Sequence, residues 1–185
     1  MTPTSNKAYQ ALLEKIQDLG QRQDDAFGDQ IRCGAGCFAC CHPPDSLFQV
    51  EAETLEQAVR ELPTEMKARI QERLTEYKAD PSLLCPLLED GKCTVYHARP
   101  SICRTQGYAL FFKDTTPSQD DAPSKGDLSW CELNFTEQQP GRDLAFDVER
   151  LNTMLSLVTQ LGWPNQPARR FLVETLQQAI ESASS

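Results

Sequence analysis

The stretch Cys33-Gly34-Ala35-Gly36-Cys37-Phe38-Ala39-Cys40-Cys41-His42 places four of the chain's eight cysteines within nine residues, two of them adjacent. On a helix, positions 33, 37, 40 and 41 would share one face. Gly34 and Gly36 oppose a helix, because each glycine costs helix stability and tolerates positive φ. The stretch therefore reads as a tight loop whose backbone N–H groups turn toward anionic sulfur. Either geometry lets four sulfurs converge. The adjacent pair adds a constraint. In extended chain, neighbouring side chains point to opposite faces, so Cys40 and Cys41 would serve two centres, or one would ligate and one pack. On a helix they would lie about 100° apart and could share a centre.

Outward from this loop, a first helix is expected from an N-cap at Thr4 or Ser5, with Tyr9, Leu12, Leu13, Ile16 and Leu19 at helical spacing. Gly20 and the polar run 21–25 weaken it, with continuation toward Ile31 left open. On the other side, His42-Pro43-Pro44 closes the loop, and Leu47-Phe48-Gln49-Val50 is too short to type. Helices are expected over 51–62, with Leu55, Ala58, Val59 and Leu62 inward, and from a Thr64 cap to Asp80-Pro81, with Met66, Ile70, Leu74 and Tyr77 inward. Cys85-Pro-Leu-Leu, Glu89-Asp-Gly-Lys92 and Cys93-Thr-Val-Tyr96 read as two short strands across a glycine turn. Ser101–Arg104 allows one helical turn. Residues 113–129 hold almost no apolar side chains and read as a long loop, after which Trp130-Cys131-Glu-Leu-Asn-Phe135 re-enters the core.

Two C-terminal helices are expected. One covers 143–161, with Phe146, Leu151, Met154, Leu155, Val158 and Leu161 on one side. The other covers 167–182, with Pro167 in its first turn and Phe171, Leu172, Leu176, Ala179 and Ile180 inward. The fold class is mainly α, a helical domain with one small β-hairpin and a cysteine-rich centre. No alternating strand–helix series supports a doubly wound sheet or a barrel.

At 185 residues the chain is expected to form a single domain, 1–185. The net charge is −9, from 18 basic and 27 acidic residues, with no basic stripe, so nucleic acid is not expected as a partner. The first residues lack the basic and apolar regions of a secretory signal. No apolar run approaches the roughly 18–20 residues that cross a bilayer. The expected compartment is the cytoplasm, where thiols stay reduced, and eight reduced cysteines point to metal before disulfide.

Thiolate is the form of cysteine that binds metal. Zinc takes four such ligands tetrahedrally, and iron–sulfur cubanes use the same set, so the donors leave zinc and iron both open. Eight thiolates could fill two four-thiolate sites. The candidate ligands are Cys33, Cys37, Cys40, Cys41, Cys85, Cys93, Cys103 and Cys131. A buried cysteine is also a small apolar packing residue, a reading that suits Cys131 beside Trp130. His42 and His97 could ligate or be structural. Arg99 and Arg104 could offset thiolate charge or hold an anionic ligand, or they could form surface ion pairs. Tyr96 could donate its hydroxyl to sulfur or pack on the hairpin.

Cys33–Cys41 together with Cys85-Pro-Leu-Leu-Glu-Asp-Gly-Lys-Cys93-Thr-Val-Tyr96-His-Ala-Arg99-Pro100-Ser-Ile-Cys103-Arg104 resembles the CxxCxxCC, or YkgJ-like, cysteine-cluster family. The family's second block has the form C-x-L…G-x-C-x-x-Y-x-x-R-P-x-x-C-R, and every element of it is present. The first block departs from the family's C-x2-C-x2-CC, since three residues separate Cys33 from Cys37. The resemblance covers about 31–135, with the helices of 143–182 packed on that core. It implies a zinc- or iron-chelating domain and leaves the biological role unassigned. Cys33-x3-Cys37-x2-Cys40 also has the spacing by which radical-SAM enzymes hold a [4Fe–4S] cluster, but no β/α alternation accompanies it. Three classes follow. One is a zinc or iron chelator that binds a metal ion and has no named protein partner. A second is an iron–sulfur protein with redox or enzymatic work, and the third a thiol–disulfide exchange protein. No Ser–His–Asp set, phosphate loop or carboxylate pair supports a particular reaction.

Overall fold

A computed structural model of the chain describes residues 1–34, 36–113 and 126–182. Within them the fold is mainly helical, as the apolar periodicity requires. The helices are α1 (Pro3–Phe27), α2 (Gln49–Arg60), α3 (Thr64–Ala79), α4 (Ser101–Thr105), α5 (Val148–Gly162) and α6 (Leu172–Glu181). Seven short strands accompany them, β1 (Ser46–Phe48), β2 (Leu88–Glu89), β3 (Lys92–Cys93), β4 (Leu110–Lys113), β5 (Gly126–Ser129), β6 (Phe146–Asp147) and β7 (Arg169–Phe171).

Helix α1 starts earlier than its expected cap. Thr2 is the N-cap, its hydroxyl accepting from Ser5 N at 3.2 Å, and Pro3 takes the first turn, where a missing N–H costs nothing. The helix also runs on through Gly20 and the polar run to Phe27. Tertiary hydrogen bonds hold that end. Gln23, 0% exposed, donates to Leu144 O at 2.9 Å and accepts from Ala109 N at 2.8 Å. Tyr108 donates to Asp24 at 2.9 Å, and its ring passes so close to Gly20 that a Cβ there would sit 3.3 Å away.

Tyr9, Leu12 and Ile16 of α1 pack with Phe48, Leu155 and Val158 in one buried cluster. A second gathers Leu55 and Val59 of α2, Ile70 and Leu74 of α3, and Leu176 of α6, with Cys85 and Cys93 packed against it. A third surrounds Phe27, Phe111 and Phe135. The C-terminal helices therefore pack on the elements that flank the cysteine loop, α5 on α1 and α6 on α2 and α3.

Pairing between strands corrects both C-terminal boundaries. Residues 143–147 turn and enter β6, which pairs parallel to β4, so α5 begins at Val148 with Asp147 as N-cap, accepting from Arg150 N at 2.9 Å. Arg169–Phe171 pairs antiparallel with Ser46–Phe48, which delays α6 to Leu172 and leaves Pro167 outside it. Phe171 is 60% exposed and Leu161 52%, so neither is a core residue. Thr64 is the first helical residue of α3, with Pro63 rather than Thr64 at the cap position. The loop expected over 113–129 is strand at both of its described ends, because Lys113 closes β4 and Gly126–Ser129 form β5, which pairs antiparallel with β4; residues 114–125 lie outside the described residues.

The hairpin stands where expected, with shorter strands. Leu88 pairs with Cys93 and Glu89 with Lys92 across Asp90-Gly91, whose φ values of 50° and 72° make the tight left-handed turn of a two-residue hairpin. Pro86–Leu87 and Thr94–Val95 are turns rather than strand, Cys85 lies outside any regular element, and Tyr96 opens a short 3-10 turn, Tyr96–Ala98.

Candidate metal centre

The first cysteine block is a loop of consecutive turns. Cys37 N donates to Gly34 O at 3.1 Å, Cys41 N to Phe38 O at 2.9 Å and His42 N to Cys40 O at 2.8 Å, with Gly36 at φ +90°. It docks on the second block through its backbone, since Cys85 N donates to Cys41 O at 2.8 Å. Phe38 packs on the hairpin tip, where a Cβ on Gly91 would lie 3.3 Å from the ring. Two stretches more than forty residues apart in sequence are thus brought together. Within the second block, Leu88 N donates to Cys85 O and Thr94 N to Leu87 O, both at 2.9 Å, so the hairpin holds Cys85 and Cys93 close together. The turn of α4 adds Cys103. Glu51 anchors that turn from below, its buried carboxylate accepting from Ser101 N at 2.7 Å and from Phe48 N at 3.3 Å.

Between the loop, the hairpin and α4 lies a cavity of about 660 Å³. Seven of the eight cysteines line it, all but Cys131. All eight are free thiols. Cys33, Cys37 and Cys40 are exposed and the other five half-buried. Burial raises the pKa of Cys33, Cys40, Cys41 and Cys93, and pushes Cys85 and Cys103 up to about 12.

Neighbouring sulfurs add to these shifts in two sets. Cys33 is raised by Cys131, Cys37 and Cys40, and Cys40 by Cys41, Cys37 and Cys131. Cys85 is raised by Cys93 and Cys41, and Cys103 by Cys85 and Cys93. Cys41 stands at the seam, raised first by Cys93 and then by Cys37. Cys131 is thereby close enough to act on the first block despite its distance in sequence.

Of the cations near the site, Arg99 acts on the most thiols, while Lys92 and Arg104 also line the cavity and Arg73 lowers the pKa of Cys85. Arg99 lowers the pKa of Cys41, Cys93 and Cys103, although burial outweighs it at each. Its guanidinium lies 3.6 Å from the centroid of the Tyr96 ring and donates to Cys103 O at 3.2 Å, while its buried Nε has no hydrogen-bond partner. Arg104 has a different task. It donates to Arg99 O at 2.8 Å and to His97 O, clamping the backbone that carries Arg99. None of the ion pairs among the described residues involves either arginine, which removes the surface ion-pair alternative for both. Tyr96 is 62% exposed, its ring supporting Arg99. His42 and His97 are both exposed. His42 lines the cavity, whereas His97 contributes its carbonyl to Arg104.

Asn134 was not a candidate on sequence, and a lone Asn carries no signal of this kind. It is 1% exposed and ties three segments together. Its side-chain oxygen accepts from Arg32 N at 2.8 Å, its amide donates to Gly107 O at 2.7 Å and to Cys33 Sγ at 3.2 Å, and its own N–H donates to Cys131 O at 2.9 Å. Gly107 completes this corner. At φ +91°, a Cβ there would meet Cys33 Sγ at 2.3 Å. Gly107→Ala is therefore expected to cost about 1–3 kcal/mol from backbone strain alone, and to displace Cys33. Chemical denaturation reads the first effect, and an altered alkylation rate at Cys33 the second.

As a donor set these residues fit zinc or iron. They are free thiols in sufficient number, with a cation beside them and no disulfide consuming them. Among the described residues, no three Cys, His, Asp or Glu side chains already converge on one point. The sulfurs ring the cavity, and closing four of them round an ion takes changes of side-chain rotamer.

Fold and site together define a helical protein with a thiol-lined cavity built from two cysteine blocks. The chain belongs to the CxxCxxCC family, whose model, described as "Putative zinc- or iron-chelating domain", matches residues 32–132, more than half of its length. No curated protein and no solved structure matches it. No helix among the described residues is long and apolar enough to cross a membrane.

Proposed function

We propose that this chain is a thiolate metal chelator that binds zinc or iron through the cysteines of both blocks and works in a reducing compartment such as the cytoplasm. The observation that carries the reading is the cavity, where seven free thiols from separated segments face one space beside the Arg99 guanidinium. Arg99 offsets the negative charge that four thiolates leave on a divalent ion. Tyr96 and Arg104 hold Arg99 in place. The chain, 1–185, acts as one domain, a reading supported by residues of α1 and Leu172 of α6 lining the same cavity. A bound ion would cross-link the loop, the hairpin and α4, contributing to folding as well as being carried.

The iron–sulfur form of this reading draws on Cys33, Cys37 and Cys40, which keep a C-x3-C-x2-C spacing and have Cys131 among their neighbours as a fourth thiol. Thiol–disulfide exchange has less support. Exchange favours a thiol poised near ambient pH or below, and every resolved cysteine shift here is upward.

Oxygen-free purification followed by elemental analysis and an absorption spectrum tests the proposal. The expected result is stoichiometric zinc or iron. Colourless protein with zinc alone removes the iron–sulfur form, and brown protein with iron and acid-labile sulfide selects it. Metal-free protein that stays folded and takes up neither ion overturns chelation.

A further inference from the structure

Resting on the chelator reading, we infer that the eight cysteines form two metal centres, a shielded one of Cys41, Cys85, Cys93 and Cys103 and an outer, exchangeable one of Cys33, Cys37, Cys40 and Cys131. A tetrahedral ion takes four thiolates, so a single ion leaves half of these sulfurs without a task. The backbone decides how they divide. Cys41 is pinned to the hairpin side by its carbonyl, which accepts from Cys85 N at 2.8 Å. The chain turns at this point, with His42 N donating to Cys40 O at 2.8 Å, so the adjacent Cys40 and Cys41 can face different partners. On the far side, Asn134 fastens Cys33 to the turn of Cys131, through Sγ at 3.2 Å and through the Cys131 carbonyl at 2.9 Å. Among the described residues, no such tie joins Cys131 to the hairpin.

Access separates the two sets as well. Cys41, Cys85, Cys93 and Cys103 are all half-buried, and Cys85 and Cys93 rest on the core of α2, α3 and α6. Three of the outer four are exposed. Charge follows the same division. The Arg99 guanidinium donates to Cys103 O at 3.2 Å on the inner side, whereas the outer set has the neutral amide of Asn134. The inner ion is therefore a cross-link held by the fold, and the outer ion is the one that a competing ligand can reach.

The test loads reduced, metal-free full-length chain with Co²⁺ alone under oxygen exclusion, following sulfur-to-cobalt absorption. The wild type is expected to saturate at about two ions per chain, and Cys33→Ser and Cys131→Ser each at about one. Challenged with EDTA, the loaded wild type should lose half of its cobalt in a fast phase and half in a slow one, and both variants should keep only the slow phase. Cys33 is exposed, so Cys33→Ser stays informative if Cys131→Ser folds poorly, with circular dichroism as the check. Saturation of the wild type at one ion, or a Cys33→Ser variant that still binds two, overturns the two-centre inference and leaves chelation standing. A folded wild type that takes up no cobalt overturns both.

Discussion

Cys93→Ser is expected to lose metal and to melt at a much lower temperature than the wild type, the two effects appearing together. Cys93 sits in β3, paired with Leu88 and packed against the largest apolar cluster, so its side chain joins the site to the core. A structural zinc contributes about 10–16 kcal/mol of apparent binding energy, comparable with the roughly 5–15 kcal/mol that holds a whole domain together. Weakening one of four ligands by even a fraction of that is a large loss. The bare substitution costs far less, because it exchanges sulfur for oxygen at a half-buried position, on the order of 1–3 kcal/mol for a poorly partnered hydroxyl. Thermal unfolding with and without a chelator separates these contributions. A midpoint that falls by the same amount in both conditions, with metal content unchanged, would make Cys93 a packing residue. Cys37→Ser is the companion measurement. Cys37 is exposed, so its loss of metal carries almost no packing cost.

The helices were legible because their apolar spacing is strong. Ile70, Leu74 and Tyr77, or Leu55, Ala58 and Val59, could hardly be anything but one buried face. The hairpin was legible from Asp90-Gly91, a pair suited to two consecutive positive φ values. What escaped was pairing between distant segments. Arg169-Arg170-Phe171 has no alternation of its own and becomes a strand only because Ser46–Phe48 lies beside it. In the same way, Gln23 counts among the polar residues that weaken α1, whose continuation the sequence leaves open. Its amide instead holds two backbone groups from Leu144 and Ala109, and so lets the helix continue. The cysteines were visible as candidates, but the contacts that bring their segments together were not, since these run through Asn134 and the Cys41–Cys85 backbone bond. Arg99 and Arg104 looked alike in sequence, yet Arg99 lies near enough to Cys41, Cys93 and Cys103 to lower their pKa values, whereas Arg104 grips the carbonyls of Arg99 and His97.

Metal-free and metal-loaded protein are expected to respond to pH in opposite senses. In the metal-free fold, burial holds Cys85 and Cys103 protonated up to about 12, whereas an unfolded chain releases those protons at its ordinary value of 9.0. A folded-state pKa raised above the unfolded one contributes stability in full below the unfolded value and loses it as pH climbs toward the folded one. The metal-free chain should therefore weaken from about pH 9 upward through these two thiols. Binding reverses the sign, because each ligand must shed its proton to meet the ion. While the thiols are protonated, apparent affinity should rise by as much as about four log units per pH unit for a site of four. The burial that disfavours free thiolate extends that rise to higher pH than exposed cysteines would allow. Competition titrations against a chelator of known pH dependence, between pH 6 and 8, measure the slope, and denaturant melts of the metal-free chain above pH 8 measure the other arm. An affinity that stays flat across the first range would mean that few protons leave on binding and that histidine or carboxylate donors hold the ion. The cavity would then be a thiol-lined space beside the true site, and the charge of Arg99 would need a different partner.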